Sequence, residues 1–121
     1  MKTREAERML TVYGIKNCDT VKKACRWLDE HDVDYTFHDF RVDGLSTEIV
    51  HEWIKNLAWE TLVNRRSTTW RNLDCDTKDK LSVDNVVALL VANPTLIKRP
   101  VLQTRSTVFI GFEESEFKGL L

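Results

Sequence analysis

Between Leu10 and Phe40 the hydrophobic pattern changes period twice, and that succession restricts the chain to few architectures. The run Leu10-Thr11-Val12-Tyr13-Gly14-Ile15 is mostly apolar, and Leu10 to Tyr13 reads as a short buried strand. Val21, Ala24, Cys25 and Leu28 then recur at i, i+3, i+4 and i+7, which predicts a helix over Asp19 to His31 with one apolar stripe. From Val33 to Phe40 apolar and polar residues alternate, the signature of a strand with one buried face. Strand, helix and strand within about 30 residues form a βαβ unit, whose two strands are expected to lie parallel.

Gly44 ends this unit. Ser46 is placed to cap a helix carrying Ile49, Val50, Trp53, Ile54 and Leu57, and a short helical piece from Trp59 to Val63 follows. The polar stretch Asn64 to Lys80 reads as connecting structure. Ser82 is then expected to cap a helix with Val83, Val86, Val87 and Leu90, ending near Asn93-Pro94. Val101 to Thr104 and Thr107 to Ile110 flank Arg105-Ser106 as a hairpin, and a short helix from Glu113 to Leu120 closes the chain. There is no internal repeat. The order β, α, β, helical segment, β, β, α is that of an α/β chain with a thioredoxin-like fold: a mixed sheet with flanking helices, and a helical subdomain inserted at about residues 45–95. Residues 1–8 are polar and read as a flexible extension, leaving 9–121 as one domain.

The length of 121 residues suits a single core. Eighteen basic and nineteen acidic side chains leave a formal charge of -1, so no global field draws the chain to nucleic acid or to an anionic membrane. No apolar stretch reaches membrane-spanning length, and the N-terminus has no apolar signal segment. Three cysteines, an odd number without regular spacing, argue for reduced thiols and a cytoplasmic setting. His31, His38 and His51 lack metal-ligand spacing with the cysteines, and Gly14 and Gly44 belong to no phosphate loop, so neither a metal nor a bound cofactor is expected. A monomer is expected.

Cys18 stands where the first strand gives way to the first helix. Unpaired N–H groups of a helix's first turn, together with the helix dipole, favour thiolate over thiol, and this makes Cys18 the candidate nucleophile. A Cys-x-x-Cys pair would need cysteine where Val21 stands, so the site is monothiol. Cys25 is seven residues on, about 10 Å of helix rise away, too far for a disulfide while the helix is intact, and its place on the apolar stripe makes it a core residue. Cys75 sits in acidic Asn72-Leu73-Asp74-Cys75-Asp76, which disfavours its thiolate; it reads as incidental, with a resolving role left open.

Four separated blocks carry a resemblance: Tyr13-Gly14-Ile15-Lys16-Asn17-Cys18-Asp19-Thr20-Val21-Lys22-Lys23-Ala24, Phe37-His38-Asp39-Phe40-Arg41-Val42-Asp43-Gly44, Asn64-Arg65-Arg66-Ser67-Thr68-Thr69-Trp70-Arg71 and Ile97-Lys98-Arg99-Pro100-Val101. In order and spacing they resemble the ArsC/Spx family, and within it the small YffB-like branch, from about Met9 to Leu121. The resemblance implies that Cys18 is the redox cysteine and that Pro100 is a cis-proline opposite it, shaping the groove for a peptide-like thiol partner. It implies that Arg99 supports the thiolate and an anionic substrate, with Arg66 as a second anion contact. Asn17 and Thr20 complete the expected substrate-binding set, Thr20 as a hydroxyl donor to the Cys18 sulfur.

The function so implied is that of a glutathione-dependent thiol oxidoreductase, acting through a Cys18 mixed disulfide that glutathione or a glutaredoxin releases. Arsenate reduction is the close alternative. The third arginine of the family's arsenate reductases, however, is replaced within Phe109-Ile110-Gly111-Phe112, leaving fewer donors for an oxyanion. An Spx-like regulator that contacts RNA polymerase is a further alternative, although the redox switch of such a protein resembles a Cys-x-x-Cys pair, which Val21 removes here.

Overall fold

The computed structural model describes residues 10–105 and 107–119; the expected extension 1–8, Ser106 of the expected hairpin turn and Leu120 of the expected last helix lie outside them. In chain order the elements are β1 (Thr11–Gly14), α1 (Asp19–Glu30), β2 (Thr36–Asp39), α2 (Thr47–Asn56), a 3-10 turn (Trp59–Leu62), α3 (Thr68–Asn72), α4 (Cys75–Asp79), α5 (Val86–Ala92), a second 3-10 turn (Pro94–Leu96), β3 (Val101–Gln103), β4 (Val108–Ile110) and α6 (Glu114–Lys118). They form two units: one runs to Gly44 and resumes at Arg99, and the other is Leu45–Lys98.

The first unit holds a four-stranded mixed sheet in the order β2-β1-β3-β4. β1 and β2 are parallel, from Thr11 opposite Thr36 to Gly14 opposite Asp39, as the βαβ pattern requires. β3 returns antiparallel to β1, and β4 antiparallel to β3. This is the thioredoxin-like arrangement. One face buries Leu10, Val12, Ala24, Trp27, Leu28, Val33, Leu102 and Phe117 in a common cluster. The Phe117 ring meets Trp27 and Phe112 edge-on at 5.4 and 4.8 Å, geometries that the ring quadrupole favours.

β2 is shorter than the alternation from Val33 to Phe40 predicts, and the exit of α1 is the reason. Asp32 adopts a left-handed conformation (φ 56°), its N–H donates to the Asp29 carbonyl, and the Val33 N–H donates to the Leu28 carbonyl at 2.9 Å. That is a Schellman closure, with Val33 packed into the same cluster as Leu28. The Val33 amide is thereby taken by the helix, and pairing with the neighbouring strand starts only at the Thr36 N–H, which donates to the Leu10 carbonyl.

In the second unit Ser46 caps α2 as expected, its Oγ accepting from the Ile49 N–H at 3.2 Å. α2 packs on α5, and Val50, Trp53, Leu62, Val63, Val86, Val87, Leu90, Leu96 and Ile97 are buried. The stretch 64–80 is not plain connection. Ser67 and Asp74 accept from the Trp70 and Thr77 amides, and so cap α3 and α4. Ser82, in contrast, does not cap the next helix: its Oγ accepts from the Asp84 N–H within a turn, Asn85 occupies the capping position, and the helix begins at Val86, leaving Val83 exposed.

Candidate active site

The first unit places Cys18 at the end of β1. After Gly14 the chain makes a tight turn in which the Cys18 N–H donates to the Ile15 carbonyl at 3.2 Å. Cys18 is the residue before α1, with extended backbone (φ -94°, ψ 125°), and its carbonyl accepts the Lys22 N–H at 2.9 Å. Its side chain makes no capping bond, so half-buried Cys18 stands at the positive end of a twelve-residue helix without its sulfur being used to hold that helix together.

The sheet brings a second segment to the same end. Val101 pairs with Tyr13 in the antiparallel register of β3 on β1, and continuing that register sets Pro100 level with Gly14 and Arg99 level with Ile15. The Arg99–Pro100 peptide is cis. Pro100 is buried, and its carbonyl accepts the N–H of Gly111, which leaves β4 with φ 81°. Arg99 is half-buried, with its Nε shielded from solvent. Asn17 and Thr20 are both exposed, at the turn and at the start of α1.

Arg66 belongs to the other unit. It is exposed in the turn before α3, where its N–H donates to Asn64 Oδ1 at 3.1 Å and its carbonyl accepts from Arg71 Nη2. Beside it, Arg65 and Lys78 both lie over the Trp70 ring, at 5.4 and 5.3 Å from its centroid. Of the predicted site residues, Cys18, Asn17, Thr20, Arg99 and Pro100 therefore share one unit, and Arg66 is built into the second.

Asp39 escaped the sequence reading. It ends β2, opposite Gly14, and is the charged residue most deeply buried among those described. Its Oδ2 accepts the Lys16 N–H at 3.3 Å and its Oδ1 accepts the Arg41 N–H at 2.8 Å, while its own N–H donates to Asp43 Oδ2. A signal was available: Asp39 continues the phase of Val33, Tyr35 and Phe37, so an acid stands where alternation calls for a buried residue.

All three cysteines are free thiols. Burial pushes the Cys25 thiol up; a hydrogen bond with Tyr35 partly opposes this, and the charge of Asp29 adds to it. Cys75 is exposed as the first residue of α4. No group of three or more His, Cys, Asp or Glu side chains among the described residues is arranged to hold a metal ion.

Compared with known proteins, the chain matches the sequence profile of the ArsC family over residues 13–120. It is 49% identical over 111 residues to an uncharacterized protein of Haemophilus influenzae, covering 92% of this chain and 97% of that one. It is 32% identical over 118 residues to the global transcriptional regulator Spx of Streptococcus mutans, covering 93% and 83%. Among solved structures, one described as a YffB protein superposes with a TM-score of 0.89 at 41% identity, covering 93% of this chain and 99% of that one.

Proposed function

The chain belongs to the ArsC family, and we propose that it is a monothiol oxidoreductase whose Cys18 exchanges with glutathione. The observation that carries this reading is the position of Cys18: a half-buried residue at the N-terminus of α1, its sulfur free of any capping duty, at the sheet end where Arg99 and Pro100 enter β3.

In the first step the Cys18 thiolate attacks the glutathione sulfur of a mixed disulfide RS–SG. The Cys18–SG bond forms, the RS–SG bond breaks, and RS⁻ leaves to be protonated by solvent. In the second step a glutathione thiolate attacks the glutathione sulfur of Cys18–SG, releasing oxidised glutathione and restoring the Cys18 thiolate. In sum RS–SG and one glutathione thiol become RSH and oxidised glutathione: one disulfide is exchanged for another, the R sulfur returning to the thiol level as the incoming glutathione sulfur joins the disulfide. Val21, three residues after Cys18, is buried and has no sulfur, so no Cys-x-x-Cys partner resolves the intermediate and an external thiol would do so. A glutaredoxin could supply the same second step. Arg99 would offer paired N–H donors to a substrate carboxylate or oxyanion, and Arg66, Asn17 and Thr20 further polar contacts. Arsenate reduction would use the same nucleophile, with the oxyanion in place of the mixed disulfide. Such thiol chemistry needs a reducing compartment, which the cytoplasm provides. No helix among the described residues is long and apolar enough to cross a membrane.

Incubation with oxidised glutathione followed by mass mapping tests the reading. One glutathionyl group is expected on Cys18, removable by reduced glutathione and absent from Cys18→Ser. Equal glutathionylation of the Ser variant would overturn it. The likeness to Spx supports a second reading, a regulator that binds RNA polymerase. Retention of polymerase subunits by the Cys18→Ser variant, with no catalysis by the unaltered chain, would favour that reading instead.

A further inference from the structure

We propose that Asp39 is a positioning residue for Cys18, acting through the backbone of the β1–α1 turn rather than through its charge. The inference rests on the reading of Cys18 as the nucleophile. One carboxylate holds two separate chain segments: Oδ2 takes the Lys16 N–H from the turn that delivers Cys18, and Oδ1 takes the Arg41 N–H from the segment after β2. The carboxylate is itself fixed. Its residue is buried to 8% exposure, its N–H is held by Asp43, its carbonyl accepts the Val42 and Asp43 N–H groups, and the next residue's N–H continues the pairing by donating to the Gly14 carbonyl. Lys16, in contrast, is exposed, and its N–H sits in a turn closed otherwise by the 3.2 Å bond from Cys18 to Ile15. Asp39 thus ties the turn to the end of the sheet, and the turn sets where Cys18 meets the first turn of α1.

The substitution that separates the two roles is Asp39→Asn. An amide offers one acceptor oxygen where the carboxylate offers two, so one of the two N–H groups must face an NH₂ donor. As an anchor, Asp39 holds the sulfur at the helix N-terminus, and losing it slows thiolate reactions. As a plain negative charge it opposes the thiolate, and losing it speeds them. The two roles predict opposite signs.

The measurement is the rate of alkylation of Cys18 by iodoacetamide across pH, read by peptide mass mapping, which needs no glutathione. In Asp39→Asn we expect the rate at neutral pH to fall about tenfold, the scale of one charge-assisted hydrogen bond, and the half-maximal rate to move to higher pH. The other charged residues on the elements meeting at this end, Lys16, Asp19, Lys22, Arg41, Asp43 and Arg99, are unchanged. Phe117→Leu, which shrinks a fully buried side chain of the same unit and removes its edge contacts with Trp27 and Phe112, controls for general loosening and is expected to leave the profile in place. An unchanged or faster rate in Asp39→Asn, or an equal slowing in Phe117→Leu, overturns the proposal. Should Asp39→Asn fail to fold, hydrogen exchange of the unaltered protein decides: the Lys16 amide is expected to be protected despite its exposure, and free exchange there overturns the proposal. Failure of the glutathione reading leaves these results standing, because neither uses glutathione.

Discussion

Gly14 and Val21 are in contact where β1 passes under the first turn of α1: a methyl group added at Gly14 would lie 2.7 Å from Val21 Cγ2 and 3.3 Å from Cγ1. Val21 is 2% exposed and β-branched, so its side chain has little freedom to move aside on a helix. The absent side chain at Gly14 therefore sets how closely the helix that begins after Cys18 can approach the sheet.

Gly14→Ala is expected to destabilise the protein by about 1–3 kcal/mol, the usual cost of overpacking a tight contact, and to slow alkylation of Cys18 by pushing the first turn of α1 outward. Val21→Ala removes the two methyl groups that the new one would strike. The double variant Gly14→Ala/Val21→Ala should therefore recover part of the stability lost in Gly14→Ala. Urea unfolding of the four proteins gives the coupling directly. Independent, additive effects would show that the two residues do not constrain each other.

Asp32 closes α1 in a left-handed conformation that costs any residue with a Cβ more than glycine. Asp32→Gly should stabilise the protein by about 0.5–1 kcal/mol, and Asp32→Ala should destabilise it, with urea midpoints as the readout. A loss in both variants would mean that the aspartate side chain, not the backbone angle, matters here.

Stability should fall in alkali. Burial raises the ionisation of Tyr13, Cys25 and Tyr35 above their ordinary values of 10.0, 9.0 and 10.0, and for Tyr35 the hydrogen bond with Cys25 raises it further. The folded protein therefore keeps protons that the unfolded chain has already released. The associated stability is fully present below the ordinary values and is lost as pH rises through 9 to 10 and beyond. Thermal unfolding followed from pH 8 upward should show this decline, and Tyr35→Phe should flatten it. In alkylation mapping near neutral pH, half-buried Cys25 should react more slowly than exposed Cys75.

Much of the first unit was legible because periodicity reports burial, and burial orders these elements. The stripe Val21, Ala24, Cys25 and Leu28 located α1, and the alternation after it located the parallel partner of β1. What periodicity missed were hydrogen-bond decisions. Val33 fits a strand by pattern, yet its amide closes α1; Ser82 is a good cap by type, yet its hydroxyl serves a turn. α3 and α4 are too short to show an apolar repeat, and only their caps, Ser67 and Asp74, reveal them. Within the site, the residue types around Cys18 pointed to chemistry. Asp39 did not, because its role lies in the two backbone amides it holds, and chain order alone does not show which loops a strand end will meet.

Arg99 and Arg66 should affect different kinetic constants. Arg99 enters β3 at the sheet end that carries Cys18 and is proposed to act on the reacting sulfur and its anionic partner, whereas Arg66 is proposed only to bind substrate. Arg99→Ala is expected to lower kcat for glutathione-disulfide exchange by about tenfold or more, the scale of a lost charge-assisted hydrogen bond at the reaction. Lysine at 99 should recover only part of this, since an ammonium lacks the planar fork that meets a carboxylate with two parallel bonds. Arg66→Ala is expected to raise KM with kcat little changed, the pattern of lost uniform binding. Steady-state kinetics on the three variants, each checked for native thermal unfolding, separates these outcomes. If Arg66→Ala lowers kcat as Arg99→Ala does, the second unit contributes to the chemical step itself; if neither constant moves in Arg99→Ala, the anion contact at this end of the sheet has been assigned to the wrong residue.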